Sequence, residues 1–217
     1  KNYNKFIWSL CKVGKFDKAR LALEAMKHHG VRRDVGIYTS LMQGCIPLKD
    51  PREAIRVFVE MRKDGIAPDE WVFDSLMEVF VESGELDGAF ALYDELKPNG
   101  LKPTNIIFTT LVKGCIRDDD LDRAWKVFEH MRVWHCEPDE VMMNLMIHAC
   151  ARRSETERAF RLYQDMKTLG LRPTHVTFNT LLHACVRRRD YYEQAFDLLR
   201  TMKVEGYIPD HRTFDML

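Results

Sequence analysis

The sequence predicts an all-α solenoid of stacked helical hairpins, and three observations predict it. Residue types recur at a period of 35: Ala89, Leu96, Gly100, Pro103 and Thr104 are answered by Ala124, Met131, His135, Pro138 and Asp139. A fixed period in this range marks supersecondary units that stack on one another. Within each period, two apolar stripes with helical spacing are separated by turn residues. Cysteines obey the same rule: Cys115, Cys150 and Cys185 are spaced by 35, and Cys45 lies 70 before Cys115. One cysteine per unit at one offset reads as a small buried residue in the first helix of each hairpin. It is not the layout of a disulfide framework, so a reducing compartment is expected. No CxxC pair or Cys/His cluster at zinc spacing occurs, and no metal site is expected.

The first unit, Lys1–Asp34, has Tyr3, Phe6, Ile7 and Leu10, a break at Gly14, then Phe16, Ala19, Leu23 and Met26, closing near Gly30. The second, Val35–Asp69, opens with Tyr38, Leu41, Met42 and Cys45. Its turn, Asp50-Pro51-Arg52-Glu53, places a cap acceptor before a proline at the first helical position. Ala54, Val57, Phe58 and Met61 follow, and Gly65 and Pro68 close the unit. The third, Glu70–Thr104, has Phe73, Leu76, Met77 and Phe80, then Leu86, Ala89, Leu92 and Leu96; Pro98 should shorten its second helix. The fourth, Asn105–Asp139, has Phe108, Leu111, Val112 and Cys115, then Leu121, Ala124, Val127, Phe128 and Met131. The fifth, Glu140–Thr174, has Met143, Met146, Ile147 and Cys150, then Ala159, Leu162, Tyr163 and Met166. Ser154 to Glu157 reads as a capping box. The sixth, His175–Asp210, has Phe178, Leu181, Leu182 and Cys185, then Ala195, Leu198, Leu199 and Met202, with one extra residue between Arg187 and Gln194. A seventh unit begins at His211 and runs to Leu217.

Ala19, Ala54, Ala89, Ala124, Ala159 and Ala195 share one offset, where a small side chain lets two helices approach closely. Met26, Met61, Leu96, Met131, Met166 and Met202 share another and should fill the space between hairpins. No hairpin buries this surface alone, so stability is roughly a sum of neighbour terms. The 46% hydrophobic content is globular, and the 30% charged content suits a thin shape with much surface. Net charge is zero, so any nucleic-acid binding must come from a local face. No apolar run approaches a membrane span, and no membrane partner is expected. The chain starts without Met inside one unit and stops inside another, as a segment of a longer protein would. No phosphate-binding glycine loop, deaminase motif or nuclease-like carboxylate trio occurs, so neither an enzyme nor a cofactor is expected.

The stretches IYTSLMQGCIPLKDPREAIRVFVEMRKDGIAPD from Ile37 and VTFNTLLHACVRRRD from Val176, with its later AFDLLRTMKVEGYIPD, closely resemble the pentatricopeptide repeat. The likeness covers nearly all of the chain, with Arg33 in place of the closing Pro, His135 in place of Gly and Met143 in place of an aromatic. It implies a right-handed superhelix that binds single-stranded RNA on its concave face, about one base per repeat. In that family a polar residue of the first helix and the last residue of the repeat read the base together. Here the pairs are Asn4 with Asp34, Thr39 with Asp69, Asp74 with Thr104, Thr109 with Asp139, Asn144 with Thr174, and Asn179 with Asp210. The family's code then implies a 5′-U-G-N-G-Y-U-3′ preference. Capping alone accounts for the identity of the last residues, since each precedes a helix. It does not account for their partners, because Asn and Thr are poor choices inside a helix.

Three residues before the polar one, the resemblance implies a group that flanks the base. Trp71, Ile106, Val141 and Val176 hold that place, and Gly36 offers no wall there. Trp71 suits either stacking on a base or packing on another protein. Lys12, Arg117, Arg152 and Arg187 lie eight residues after the polar row, and Lys113 lies four after it, as candidate phosphate contacts. Asp74, Glu78 and Glu82 put three carboxylates on the corresponding stripe of the third unit, where a phosphate backbone is disfavoured. The expected function is an organellar RNA-binding adaptor in RNA processing, stability or translation, in a mitochondrion or alternatively a plastid. The rival is a scaffold or subunit of an organellar ribosome that contacts ribosomal RNA and other proteins.

Overall fold

The computed structural model describes residues 2–209. Among them the chain is helical throughout. The first helices of successive hairpins are α1 (Asn2–Lys12), α3 (Val35–Cys45), α5 (Glu70–Ser83), α7 (Asn105–Arg117), α9 (Glu140–Arg152) and α11 (His175–Val186). The second helices are α2 (Phe16–His28), α4 (Pro51–Lys63), α6 (Leu86–Leu96), α8 (Leu121–Val133), α10 (Thr156–Thr168) and α12 (Tyr192–Val204). The start of a seventh unit lies outside the described residues.

The chain divides into two compact units, Lys1–Asp118 and Asp119–Leu217. In the first, α1, α3, α5 and α7 pack side by side in one row. Each of α2, α4 and α6 packs on the first helix of its own hairpin and on that of the next. In the second, α9 and α11 pack directly on one another, α10 lies against both, and α12 closes against α11. This is an all-α solenoid, with the first helices forming the closer-packed layer.

The repeated columns are the core. The six alanines of the repeated column are fully buried, and so are the methionines and Leu96 that follow them. Cys45, Cys115, Cys150 and Cys185 are buried in the first helices, and none of the four is in a disulfide. Burial pushes the Cys45 and Cys150 thiols up to about 12, so neither forms a reactive thiolate at neutral pH. Gly44 shows why helices of the first row approach so closely. A Cβ there would stand 2.7 Å from Cys11 Sγ and 3.0 Å from a Phe16 ring carbon. Gly114 meets Leu86 and Val81 in the same way.

Turn chemistry ends every helix. The second helices close with a left-handed residue: Gly30, Gly65, Gly100, His135, Gly170 and Gly206. The next residue's N–H then reaches back to the carbonyl of Met26, Met61, Leu96, Met131, Met166 or Met202, which is the Schellman arrangement. Helix α6 stops at Leu96, two residues before Pro98; Lys97 keeps helical angles, φ −61° and ψ −47°, so the helix ends because the proline has no N–H to continue the ladder and not because its predecessor leaves the helical region. The extra residue of the sixth hairpin is taken up in a 3-10 turn, Arg189–Tyr191. There the Tyr191 ring stacks on Phe160 with centroids 6.0 Å apart.

One local expectation needs correction. Ser154 does not cap α10: it adopts φ 60° in the inter-helix turn, and the cap position falls on Glu155, whose side chain makes no cap bond. The turn needs a left-handed residue there, as Gly14, Lys49, Gly84 and Asp119 also supply. A capping box does form at α11, where the Thr174 N–H donates to Thr177 Oγ1 at 2.9 Å. Arg33, standing in for the closing proline, is held by an ion pair to Asp64, whose carboxylate also accepts from the Tyr38 hydroxyl.

Candidate nucleic-acid interface

Among the described residues, the last residue of each of the first five units stands at the N-cap of the helix that follows. Asp34, Asp69 and Asp139 accept the N–H of Ile37, Val72 and Met142 at 3.1, 3.0 and 2.8 Å. Thr104 accepts that of Ile107 at 3.4 Å. Each Asp cap spends one carboxylate oxygen this way, and a carboxylate has a second one to offer. Asp210 lies outside the described residues.

The polar row sits in the first turn and a half of each first helix, next to these caps. Asn4 meets its expected partner: Nδ2 donates to both Asp34 oxygens, at 3.1 and 3.3 Å. The space for this contact is left by Gly36, where a Cβ would come within 3.1 Å of Asn4 Nδ2. Thr39 and Thr109 donate their hydroxyl protons into their own helix, to Val35 and Asn105 carbonyls at 3.0 and 2.7 Å. Each hydroxyl is therefore left only as an acceptor. Thr109 departs from a freely displayed row, being only 8% exposed. Asn179 Nδ2 lies 3.2 Å from His175 Nδ1.

Two members of the row are held by residues of the next unit. Thr110 Oγ1 donates to Asp74 Oδ1 at 3.1 Å, and Thr177 Oγ1 donates to Asn144 Oδ1 at 2.6 Å. Thr110 shares its offset with Ser40, Ser75 and Thr180, whereas Thr177 replaces the apolar column of Ile37, Val72, Ile107 and Met142, so periodicity alone does not find its role. Burial pushes the Asp74 carboxyl up to about 6; Glu78 adds to the rise, and the Thr110 bond and Lys113 oppose it.

Around the row, Ile106, Val141 and Val176 present exposed apolar side chains, and Trp71 is 58% exposed. Lys12, Lys113, Arg117, Arg152 and Arg187 are all exposed. Arg117 lies 3.9 Å from Glu82 and 3.8 Å from Asp118, so part of its charge is already engaged. Within the compact unit Lys1–Asp118, Trp8, Lys12, Gln43 and Glu78 line one cleft of about 360 Å³, with Lys12 Nζ 5.6 Å from the Trp8 ring centroid. On α9, partial burial, Arg152 and His183 together hold His148 below its usual pKa. No group of three or more His, Cys, Asp or Glu fit to hold a metal ion occurs among the described residues. None of their helices is long and apolar enough to cross a membrane.

Hairpins repeating at this period, with a polar column and a cap column side by side, define a helical-repeat protein. The PPR repeat family matches residues 103–141, 138–187 and 174–217. The pentatricopeptide repeat domain matches 21–83, and the PPR repeat matches 2–31 and 71–101. The chain belongs to the pentatricopeptide repeat family. No curated protein matches its sequence. Its fold is similar to that of PPR10 from maize, at TM-score 0.73 and 23% identity over 98% of this chain. A structure of PPR10 in complex with an 18-nt psaJ RNA element matches at TM-score 0.74 and 20% identity over 94%. The PPR domain of Arabidopsis thaliana protein-only RNase P 1, in complex with tRNA, matches at TM-score 0.66 and 18% identity, covering 89% of this chain and 96% of that one. The chain spans about 30% of the length of PPR10.

Proposed function

We propose that this protein binds single-stranded RNA along its first-helix layer, one base to each paired polar and cap residue. The contact between Asn4 and Asp34 carries the reading: residues 30 apart, paired only by the repeat's arithmetic, meet as one hydrogen-bonding unit. The hydroxyls of Thr39 and Thr109, left only as acceptors once their protons are spent, suit the N1–H and N2–H donors of guanine. That fits guanine at the second and fourth positions of 5′-U-G-N-G-Y-U-3′. Ile106, Val141, Val176 and Trp71 flank the bases, and Lys12, Lys113, Arg117, Arg152 and Arg187 meet phosphates. The role is that of an adaptor for transcripts, set in a mitochondrion or plastid; the PPR10 and protein-only RNase P 1 complexes with RNA support the binding part of it.

A titration compares 5′-UGAGCU-3′ with the same hexamer carrying cytosine at both guanine positions. The first should bind at least about tenfold tighter. Equal binding of the two would overturn the base assignment. The acidic third unit beside exposed Trp71 favours a second reading, a scaffold in a ribonucleoprotein. In that case no hexamer binds, and Trp71→Ala releases a protein partner.

A further inference from the structure

We infer that Thr177 decides which end of the Asn144 amide faces RNA, and so makes the fifth unit select cytosine over uracil. The inference rests on the RNA-reading function proposed above and names the base at one of its positions. Thr177 is the third residue of α11 and is 1% exposed. Its oxygen accepts the Thr174 N–H at 2.9 Å. Its single proton then goes to the nearer of two acceptors: Asn144 Oδ1 at 2.6 Å, rather than Thr174 Oγ1 at 3.3 Å. This occupies the carbonyl end of Asn144 and leaves the NH₂ end to meet a ligand, and that end can only donate. On the pairing edge of cytosine the central atom, N3, is an acceptor. On uracil the same atom carries a hydrogen, and two donors would face each other.

Asn4 shows the opposite polarity in the same residue type. Its NH₂ end is spent on Asp34, and its Oδ1 is buried without a protein partner. An acceptor is left over there, and once binding uncovers it, it suits the N3–H of uracil. Identical reader residues in the first and fifth units are therefore set to different bases by the group each leans on. Thr177 acts through Asn144 and is a positioning residue.

The test measures binding of 5′-UGAGCU-3′ and 5′-UGAGUU-3′ to the chain and to Thr177→Ser and Thr177→Val. The unmodified chain should prefer the cytosine hexamer by about tenfold. Thr177→Ser keeps the hydroxyl and should keep the preference. Thr177→Val keeps the shape and should bring the ratio near one, mainly by weakening the cytosine hexamer. Guanine-dependent binding without discrimination at the fifth base would overturn this inference alone. So would a Thr177→Val ratio equal to that of the unmodified chain, even with both affinities reduced, since that marks simple structural support. Binding of neither hexamer would overturn the RNA reading together with it.

Discussion

His135 holds φ 54° where five other units place a glycine in the same left-handed conformation. A side chain there crowds the following carbonyl at a cost of roughly 1–2 kcal/mol. The residue is exposed, so little packing offsets the strain. His135→Gly should stabilise the protein by about 1 kcal/mol, seen as a higher urea midpoint with an unchanged slope. Asp74 offers a pH-dependent test at the same scale. Its carboxyl is raised from the ordinary 3.8 to about 6, above all by burial. Between those values the folded chain keeps a proton that the unfolded chain has released, so stability falls as pH rises through that window. Asp74→Asn removes this loss and can still accept the Thr110 hydroxyl. The variant should gain on the parent steadily from about pH 4 to about pH 6 and hold a constant advantage above it, as followed by thermal unfolding.

At the scale of elements, the contact of α1 with α3 is limited by Gly44. Alanine would gain about 1 kcal/mol in helix propensity. Its Cβ would also press on the Cys11 side chain and the Phe16 ring, which are themselves packed, and overpacking of this kind costs roughly 1–3 kcal/mol. Gly44→Ala should therefore lower stability, and Gly44→Ala with Cys11→Ala should recover part of it. The ion pair of Arg33 with Asp64 joins the end of the first hairpin to the second, and both side chains are largely buried. Asp64→Ala strands the guanidinium and the Tyr38 hydroxyl and should cost roughly 1–3 kcal/mol in chemical unfolding. Features that every interface reuses were legible in the chain: the alanine, methionine and cysteine columns, and the cap at each unit's end. Asp64 and Thr177 were not, because each breaks its own column and acts on particular partners tens of residues away; the Thr110 bond was not, because it needs the one carboxylate of the polar row, Asp74. Ser154 misled because its local pattern matched a cap while the turn's geometry required a left-handed residue one position earlier.

For the whole molecule, zero net charge means that attraction for RNA must be concentrated rather than diffuse. On the proposed RNA reading, the exposed cations of the last three full units would supply that concentration, and the carboxylates of the third would oppose it. Each phosphate neutralised on a single strand contributes about 0.7 to the slope of log K against log salt. Reversing Arg117, Arg152 and Arg187 to Glu removes three such contacts, so the slope should flatten by about 2 as affinity drops. The Arg117 share should be the smallest, because Glu82 and Asp118 already draw on that guanidinium. Glu78→Lys with Glu82→Lys should act in the opposite sense, steepening the slope by adding contacts where the strand is otherwise repelled. Both series need titrations at no fewer than two salt concentrations, since affinity at one salt does not separate lost phosphate contacts from lost base contacts. A triple reversal that left the slope unchanged would make these rows ordinary solvated helix faces, with binding carried by the base pairs of residues alone.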